Sequence, residues 1–94
     1  MKWGLRAAFI LLRRYIERYG LRTIRDIISR WAPSTENNTR QYIEQVCEWT
    51  DIAEDRVIDF NNSDDMTMLV WAMARFETGY SLNFSELIEA YDMV

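Results

Sequence analysis

The chain has 94 residues and a formal net charge of −4; 49% of its residues are hydrophobic and 14% are aromatic. This length suits a single helical domain over residues 1–94, and no apolar run approaches the roughly 18 residues that a membrane span needs. Histidine is absent, which removes the Ser-His and Cys-His nucleophile pairs and most transition-metal sites, so we predict no metal and no cofactor.

Charge is distributed unevenly along the chain. Residues 1–40 carry a net charge of +6 and residues 41–94 carry −10. The two sets of charges can neutralise each other within the fold, which we favour, or they can form a dipolar surface that orients a partner. Arg13, Arg14 and Glu17 interrupt the first apolar run, which argues against a secretory signal, and Cys47 has no second cysteine to pair with. We therefore expect a cytoplasmic protein at synthesis.

Two amphipathic helices are predicted before Pro33. Apolar residues recur at three- and four-residue steps in the first helix, and Gly20 is suited to the left-handed conformation that ends a helix. This first face comprises Leu5, Ala8, Phe9, Leu12, Tyr15, Ile16 and Tyr19. Thr23 is placed to cap the second helix, with Asp26 in capping-box spacing, and Pro33 stops it. The second face comprises Ile24, Ile27, Ile28 and Trp31.

A third helix is predicted after a polar loop at residues 33–38. Asn38 or Thr39 is expected to cap this helix, with Gln41 in position for a reciprocal bond to Asn38. Its inner face comprises Tyr42, Ile43, Val46, Cys47 and Trp49. Because Cys47 belongs to this apolar face, we interpret it as a buried structural cysteine.

Residues 50–62 are less regular, and two helices are predicted after them. The alternation at residues 56–60 suits either a short extended segment or a coil that fills the core. Ser63 is expected to cap the fourth helix, Gly79 to end it, and Asn83 to cap the fifth. The inner faces comprise Met66, Leu69, Val70, Met73 and Phe76, then Leu87, Ile88 and Tyr91. The sequence therefore predicts an all-α fold, a small orthogonal bundle of about five helices.

Carboxylates are the remaining candidates for chemistry. Glu77 follows Phe76 at the end of the most apolar helix, where the helix dipole would favour a protonated acid suited to glycoside cleavage. The alternative interpretation is an exposed glutamate at a helix end. Glu36 in the polar loop is a weaker catalytic candidate, and its alternative role is to neutralise the basic first half.

A helix-turn-helix interpretation of residues 21–31 and 39–49 is disfavoured. Glu44 and Glu48 on the would-be recognition helix would repel phosphates, and the intervening turn exceeds the usual three or four residues. Nucleic acid is therefore not the expected partner. An arginine patch could still contact nucleic acid without reading its sequence; it comprises Arg6, Arg13, Arg14, Arg18, Arg22 and Arg25.

Several motifs carry a resemblance to a known family. They are Gly-Leu-Arg-Ala at 4–7, Leu-Arg-Arg-Tyr at 12–15, Tyr-Gly-Leu-Arg-Thr-Ile at 19–24, Arg-Trp-Ala-Pro at 30–33, Glu-Asn-Asn-Thr at 36–39 and Tyr-Ile at 42–43. These residues resemble a small family encoded by bacteriophages and prophages, whose members are usually described as virion structural proteins with lysozyme-like character. The resemblance covers residues 4–50 strongly and residues 51–79 loosely. It implies association with the virion.

The resemblance also supplies candidate binding residues. They are Arg30, Trp31, Glu36, Asn37, Asn38 and Thr39. The same motif can also have a purely structural role, which we favour. Trp31 can seal the core and Pro33 can stop a helix. The polar residues at 37–39 can satisfy backbone donors at the start of the next helix.

One departure from the family pattern bears on catalysis. Relatives generally carry an upstream segment with an Asn-Pro-Gly-Asn-like motif, resembling the cleft region of peptidoglycan-cleaving enzymes. Without that segment, we expect a lysozyme-like remnant or a binding module. The Phe-Glu-Thr-Gly stretch at 76–79 is similar to the surroundings of the catalytic glutamate in lytic transglycosylases, although it falls later in the chain than in those enzymes.

The leading prediction is a phage- or prophage-derived, non-catalytic helical protein that acts through a protein or peptidoglycan partner. Thirteen aromatic residues are difficult to bury in five short helices, so self-association is a further option. The first alternative is a small peptidoglycan-cleaving enzyme, a glycoside hydrolase or lytic transglycosylase, with Glu77 as its acid. The second is a protein that associates with nucleic acid without sequence specificity.

Overall fold

Five α-helices account for most of the chain in the computed structural model, which describes residues 4–33 and 36–94, and only the backbone of Glu36 and Asn37. The helices are α1 (Leu5–Glu17), α2 (Ile24–Trp31), α3 (Glu36–Thr50), α4 (Ser63–Thr78) and α5 (Phe84–Asp92). The predicted all-α fold of five helices is confirmed, and no strand occurs within the described ranges. No helix in these ranges has the length and apolar character needed to cross a bilayer.

Three predicted helix boundaries are confirmed by their backbone geometry. Gly20 and Gly79 adopt positive φ angles of 69° and 80°, so both supply the left-handed residue that follows a helix. The hydroxyl oxygen of Thr23 accepts a hydrogen bond from the Asp26 amide at 3.2 Å. This bond satisfies one of the free amide groups at the start of α2.

Two predicted caps are wrong. The third helix begins at Glu36, so Asn38 and Thr39 lie inside α3 rather than before it. The fourth helix is capped by Asn62, whose side chain accepts from the Asp65 amide at 3.1 Å, whereas Ser63 is its first residue. Asparagine and serine are comparably good caps, so a run of both gives no unique boundary from sequence.

The segment between α3 and α4 is a coil that fills part of the core, which confirms one of the two predicted alternatives. In this segment Ile58 and Phe60 are buried, whereas the side chain of Val57 is 63% exposed. The Ile58 amide donates to the Arg22 carbonyl at 2.6 Å, and the Arg25 amide donates to the Glu54 carbonyl at 3.1 Å. These bonds fasten the coil to the start of α2.

The core lies around α4, which packs against α1, α3 and α5. Its buried residues are Met66, Thr67, Leu69, Val70, Ala72, Met73 and Ala74. The predicted inner faces are largely confirmed, with three corrections. Tyr19, predicted for the first face, follows the end of α1 and is 50% exposed. Ile88 is 50% exposed, because the core side of α5 passes through Leu87 and Ala90. Cys47 is only half-buried.

Candidate functional site

Three helices meet at the carboxylate of Glu77, in the last turn of α4. The indole Nε1 of Trp31, the last residue of α2, donates to Oε2 of Glu77 at 2.9 Å. The hydroxyl of Tyr42 in α3 donates to the same oxygen at 2.6 Å. One carboxylate oxygen therefore accepts hydrogen bonds from two other helices, and we call Trp31, Tyr42 and Glu77 the carboxylate junction.

The geometry of the junction is set by the packing of Tyr42. Its side chain is only 3% exposed, and its ring stacks on that of Phe76 with centroids 4.2 Å apart. The Tyr42 hydroxyl also lies 3.3 Å from the Met73 carbonyl, but its one proton serves the shorter contact to Glu77. Burial, followed by the bond to the Glu77 carboxylate and its charge, raises the pKa of Tyr42 well above that of a free tyrosine.

The junction joins residues that the sequence indicated for different reasons. Glu77 was predicted as a candidate acid, and Trp31 as both an inner-face residue and a binding residue. Tyr42 was predicted as an inner-face residue and belongs to the motif that carries the family resemblance. The role of the Tyr42 hydroxyl was missed in the sequence. The available signal was a tyrosine on the apolar face of a helix, since most buried tyrosine hydroxyls have a hydrogen-bond partner.

The other candidate residues near the α2–α3 connection form no described contact with the Glu77 carboxylate. The Thr39 hydroxyl donates to the Ala32 carbonyl at 2.8 Å, so it binds the end of α2 rather than the amides of α3. Arg30 is exposed, and its guanidinium lies 5.6 Å from the centre of the Tyr19 ring. Asn38 is exposed on α3. The side chains of Glu36 and Asn37 lie outside the described part of the structure.

A second group of aromatic residues surrounds Arg75 on another side of α4. The Arg75 guanidinium lies 4.4 Å from the Trp49 ring centre and 5.5 Å from that of Trp71. Trp71 in turn stacks on Phe84 with centroids 5.5 Å apart. Trp49 of α3 and Trp71 of α4 pack on the Arg75 cation, and Phe84 of α5 packs on Trp71, so the group joins three helices.

Ion pairs neutralise part of the charge asymmetry. Arg40 forms a bidentate contact with Glu54, with distances of 2.9 and 2.7 Å. The Arg40 hydrogen bond is the main reason that the pKa of Glu54 is lowered from its ordinary value. Among the described side chains, no group of three or more Asp, Glu or Cys residues is arranged to hold a metal ion.

Comparison with known proteins relates the chain to a bacteriophage protein. Over 76 residues, which is 81% of this chain, the sequence is 38% identical to Protein P5 of Pseudoalteromonas phage PM2. The match covers 46% of Protein P5, so the chain spans about half the length of this curated relative. No family model matches the chain. No solved structure matches it either.

Proposed function

We propose that this chain is a phage- or prophage-encoded helical binding protein that catalyses no reaction and acts through a protein or peptidoglycan partner. The observation that carries the proposal is the use of Glu77 as a double hydrogen-bond acceptor. A general acid must hold a proton and deliver it to a substrate. Oε2 of Glu77 is instead held as an acceptor by two protein donors, so only Oε1 remains to carry such a proton.

The phage assignment is supported by the relationship to Protein P5 of phage PM2. It agrees with the resemblance that the motifs at residues 4–7 and 30–39 carry to virion structural proteins. Association with the virion follows as part of the proposal. The lysozyme-like character of that family enters here only through the second candidate function.

The second candidate is a peptidoglycan-cleaving enzyme with Glu77 as its acid, and one feature of the junction favours it. Glu77 is exposed at the end of α4, and its second oxygen, Oε1, accepts no hydrogen bond from a described residue. An aromatic side chain, Trp31, lies directly beside it. A carboxyl group flanked by an aromatic ring is an arrangement that glycan-cleaving sites use.

Incubation with purified peptidoglycan separates the two candidates. The protein, Glu77→Gln and the control Glu89→Gln are compared for co-sedimentation and for release of soluble fragments. Glutamine retains an oxygen that accepts from Trp31 and Tyr42, so Glu77→Gln should remain folded. Glu89 is an exposed residue of α5 with no described partner, and its change controls for the loss of one charge.

The binding proposal predicts no fragment release from any of the three proteins. Co-sedimentation by all three identifies the wall polymer as the partner, and its absence moves the search to proteins that co-purify with the virion. Fragment release that disappears in Glu77→Gln and persists in Glu89→Gln would replace the binding proposal with the enzymatic one.

A further inference from the structure

Unpaired arginines are concentrated on one part of the surface. Within residues 4–33 and 36–94, Arg13, Arg25, Arg40 and Arg56 form ion pairs with carboxylates, and Arg75 is stacked on two indoles. Four exposed guanidinium groups contact neither a described carboxylate nor a described aromatic ring: Arg6, Arg14, Arg18 and Arg22. All four lie between the start of α1 and the start of α2, a stretch of sequence whose one acidic residue is Glu17.

Two further residues extend this region. Tyr19 is 50% exposed and directly follows Arg18. The guanidinium of Arg30 in α2 lies 5.6 Å from the centre of the Tyr19 ring, which places a fifth arginine at the end of this region that follows α1. We call Arg6, Arg14, Arg18, Tyr19, Arg22 and Arg30 the arginine face.

We infer that the arginine face binds the phosphate backbone of nucleic acid without reading its sequence. Guanidinium groups bind phosphate oxygens in a bidentate manner. Arg14 and Arg18 are four residues apart, and such residues lie side by side along a helix at about 5–6 Å between Cβ atoms. This spacing allows successive arginines to contact neighbouring phosphates along one strand.

The acidic residues that argued against nucleic acid in the sequence lie elsewhere. Glu44 and Glu48 belong to α3, and α1 does not pack against α3 in the described structure. On α1 itself the acidic residue is Glu17, which is paired with Arg13 at 3.1 Å. The neighbouring helix α5 exposes Glu86, Glu89 and Asp92, but no described ion pair joins them to α1. Asp26 in the first turn of α2 and Asp59, next to Ile58 whose amide binds the Arg22 carbonyl, also lie near this region. No described ion pair joins either of them to the arginine face.

A membrane surface fits the same arginines less well. A helix that binds a bilayer inserts its apolar side between the lipids, but the apolar side of α1 is occupied by the core through Phe9, Leu12 and Ile16. Ile10, at 41% exposure, is the exposed large aliphatic residue of α1. One exposed isoleucine offers little area for insertion, whereas phosphate contact requires only the guanidinium groups.

The test measures binding to a fluorescent DNA duplex of about 20 base pairs by anisotropy, from about 50 to 200 mM salt. The variant Arg14→Gln with Arg18→Gln is compared with Arg25→Gln with Arg56→Gln, which removes the same charge from paired arginines. Circular dichroism establishes that both variants are folded.

We expect the first variant to bind at least tenfold more weakly at low salt, with a salt slope reduced by about 2, because about one counterion is released for each phosphate contact. The control should bind as the parent does. Equal weakening in both variants, or no binding by the parent at low salt, overturns the inference. Binding to anionic lipid vesicles without binding to DNA, or salt-sensitive self-association that involves Arg14 and Arg18, also overturns it.

Discussion

Glu77 is the residue through which side chains from α2 and α3 are joined to α4. Its donors, Trp31 and Tyr42, lie 46 and 35 residues away along the chain. Hydrogen bonds to an ionised carboxylate are stronger than those between neutral groups. The junction therefore stabilises the packing of three helices whether or not Glu77 also contacts a ligand.

Removal of the Tyr42 hydroxyl tests this structural role. We expect Tyr42→Phe to lower the free energy of unfolding by about 1–2 kcal/mol, because the carboxylate loses one charge-assisted donor while water can partly replace it at the exposed side. Urea denaturation followed by circular dichroism measures the change.

Tyr15→Phe is a matched control for this variant. Tyr15 is also buried, but its hydroxyl bonds to no described residue, so its removal should change stability by less than about 0.5 kcal/mol. Equal losses in the two variants would mean that the bond to Glu77 contributes nothing specific.

At the scale of elements, the coil of residues 51–62 is held to two helices through Glu54. The Glu54 carboxylate contacts Arg40 of α3 at 2.7 Å and Arg25 of α2 at 3.9 Å. The Glu54 carbonyl also accepts from the amide of Arg25. The Glu54 side chain therefore contacts arginines of both α2 and α3, and its backbone carbonyl binds an amide in the first turn of α2.

The charge of Glu54 predicts a pH dependence of stability. Its pKa is lower in the folded state than its ordinary value of 4.5. Between the lowered pKa and pH 4.5, the folded protein therefore binds fewer protons than the unfolded chain. The resulting stabilisation is complete above pH 4.5 and is lost as the pH falls through the lowered pKa.

We expect Glu54→Gln to unfold at lower urea concentration than the parent at pH 7, and the difference to close as the pH falls below 4.5. Urea midpoints measured between pH 3 and pH 7 follow this change. The exposed Glu89→Gln variant should match the parent across that range. A gap between parent and Glu54→Gln that is the same at both ends of the range would contradict the proposed charge pairing.

At the scale of the whole molecule, the coil of residues 51–62 packs with α1 and α5 in one common core. The Tyr91 hydroxyl of α5 donates to the Phe60 carbonyl at 2.6 Å, and the Tyr91 ring lies between those of Phe9 and Phe60 at centroid distances of 5.6 and 5.4 Å. The coil thus contacts the first and last helices of the chain at the same place. Its apolar residues are part of the core rather than a surface connection.

Adjacent residues of the coil provide a direct test of this role. Ile58 is fully buried, whereas Val57 is 63% exposed. We expect Ile58→Ala to lower the free energy of unfolding by about 2–4 kcal/mol through lost burial and the cavity that remains. Val57→Ala should cost less than about 0.5 kcal/mol. Thermal and urea unfolding of both variants measures the difference, and similar losses would show that the coil does not plug the core.

The sequence by itself determined the five helices, since apolar spacing, Gly20, Gly79 and the Thr23 cap act over a few residues and need no tertiary context. Local signals could not choose between Asn62 and Ser63 as a cap or decide whether residues 56–60 form a strand or a coil. Only the tertiary structure brought Glu77 to Trp31 and Tyr42, and left Arg6 and Arg14 of α1 without a described carboxylate partner. Such contacts depend on how helix faces pack across long chain separations, and local periodicity contains no information about that packing.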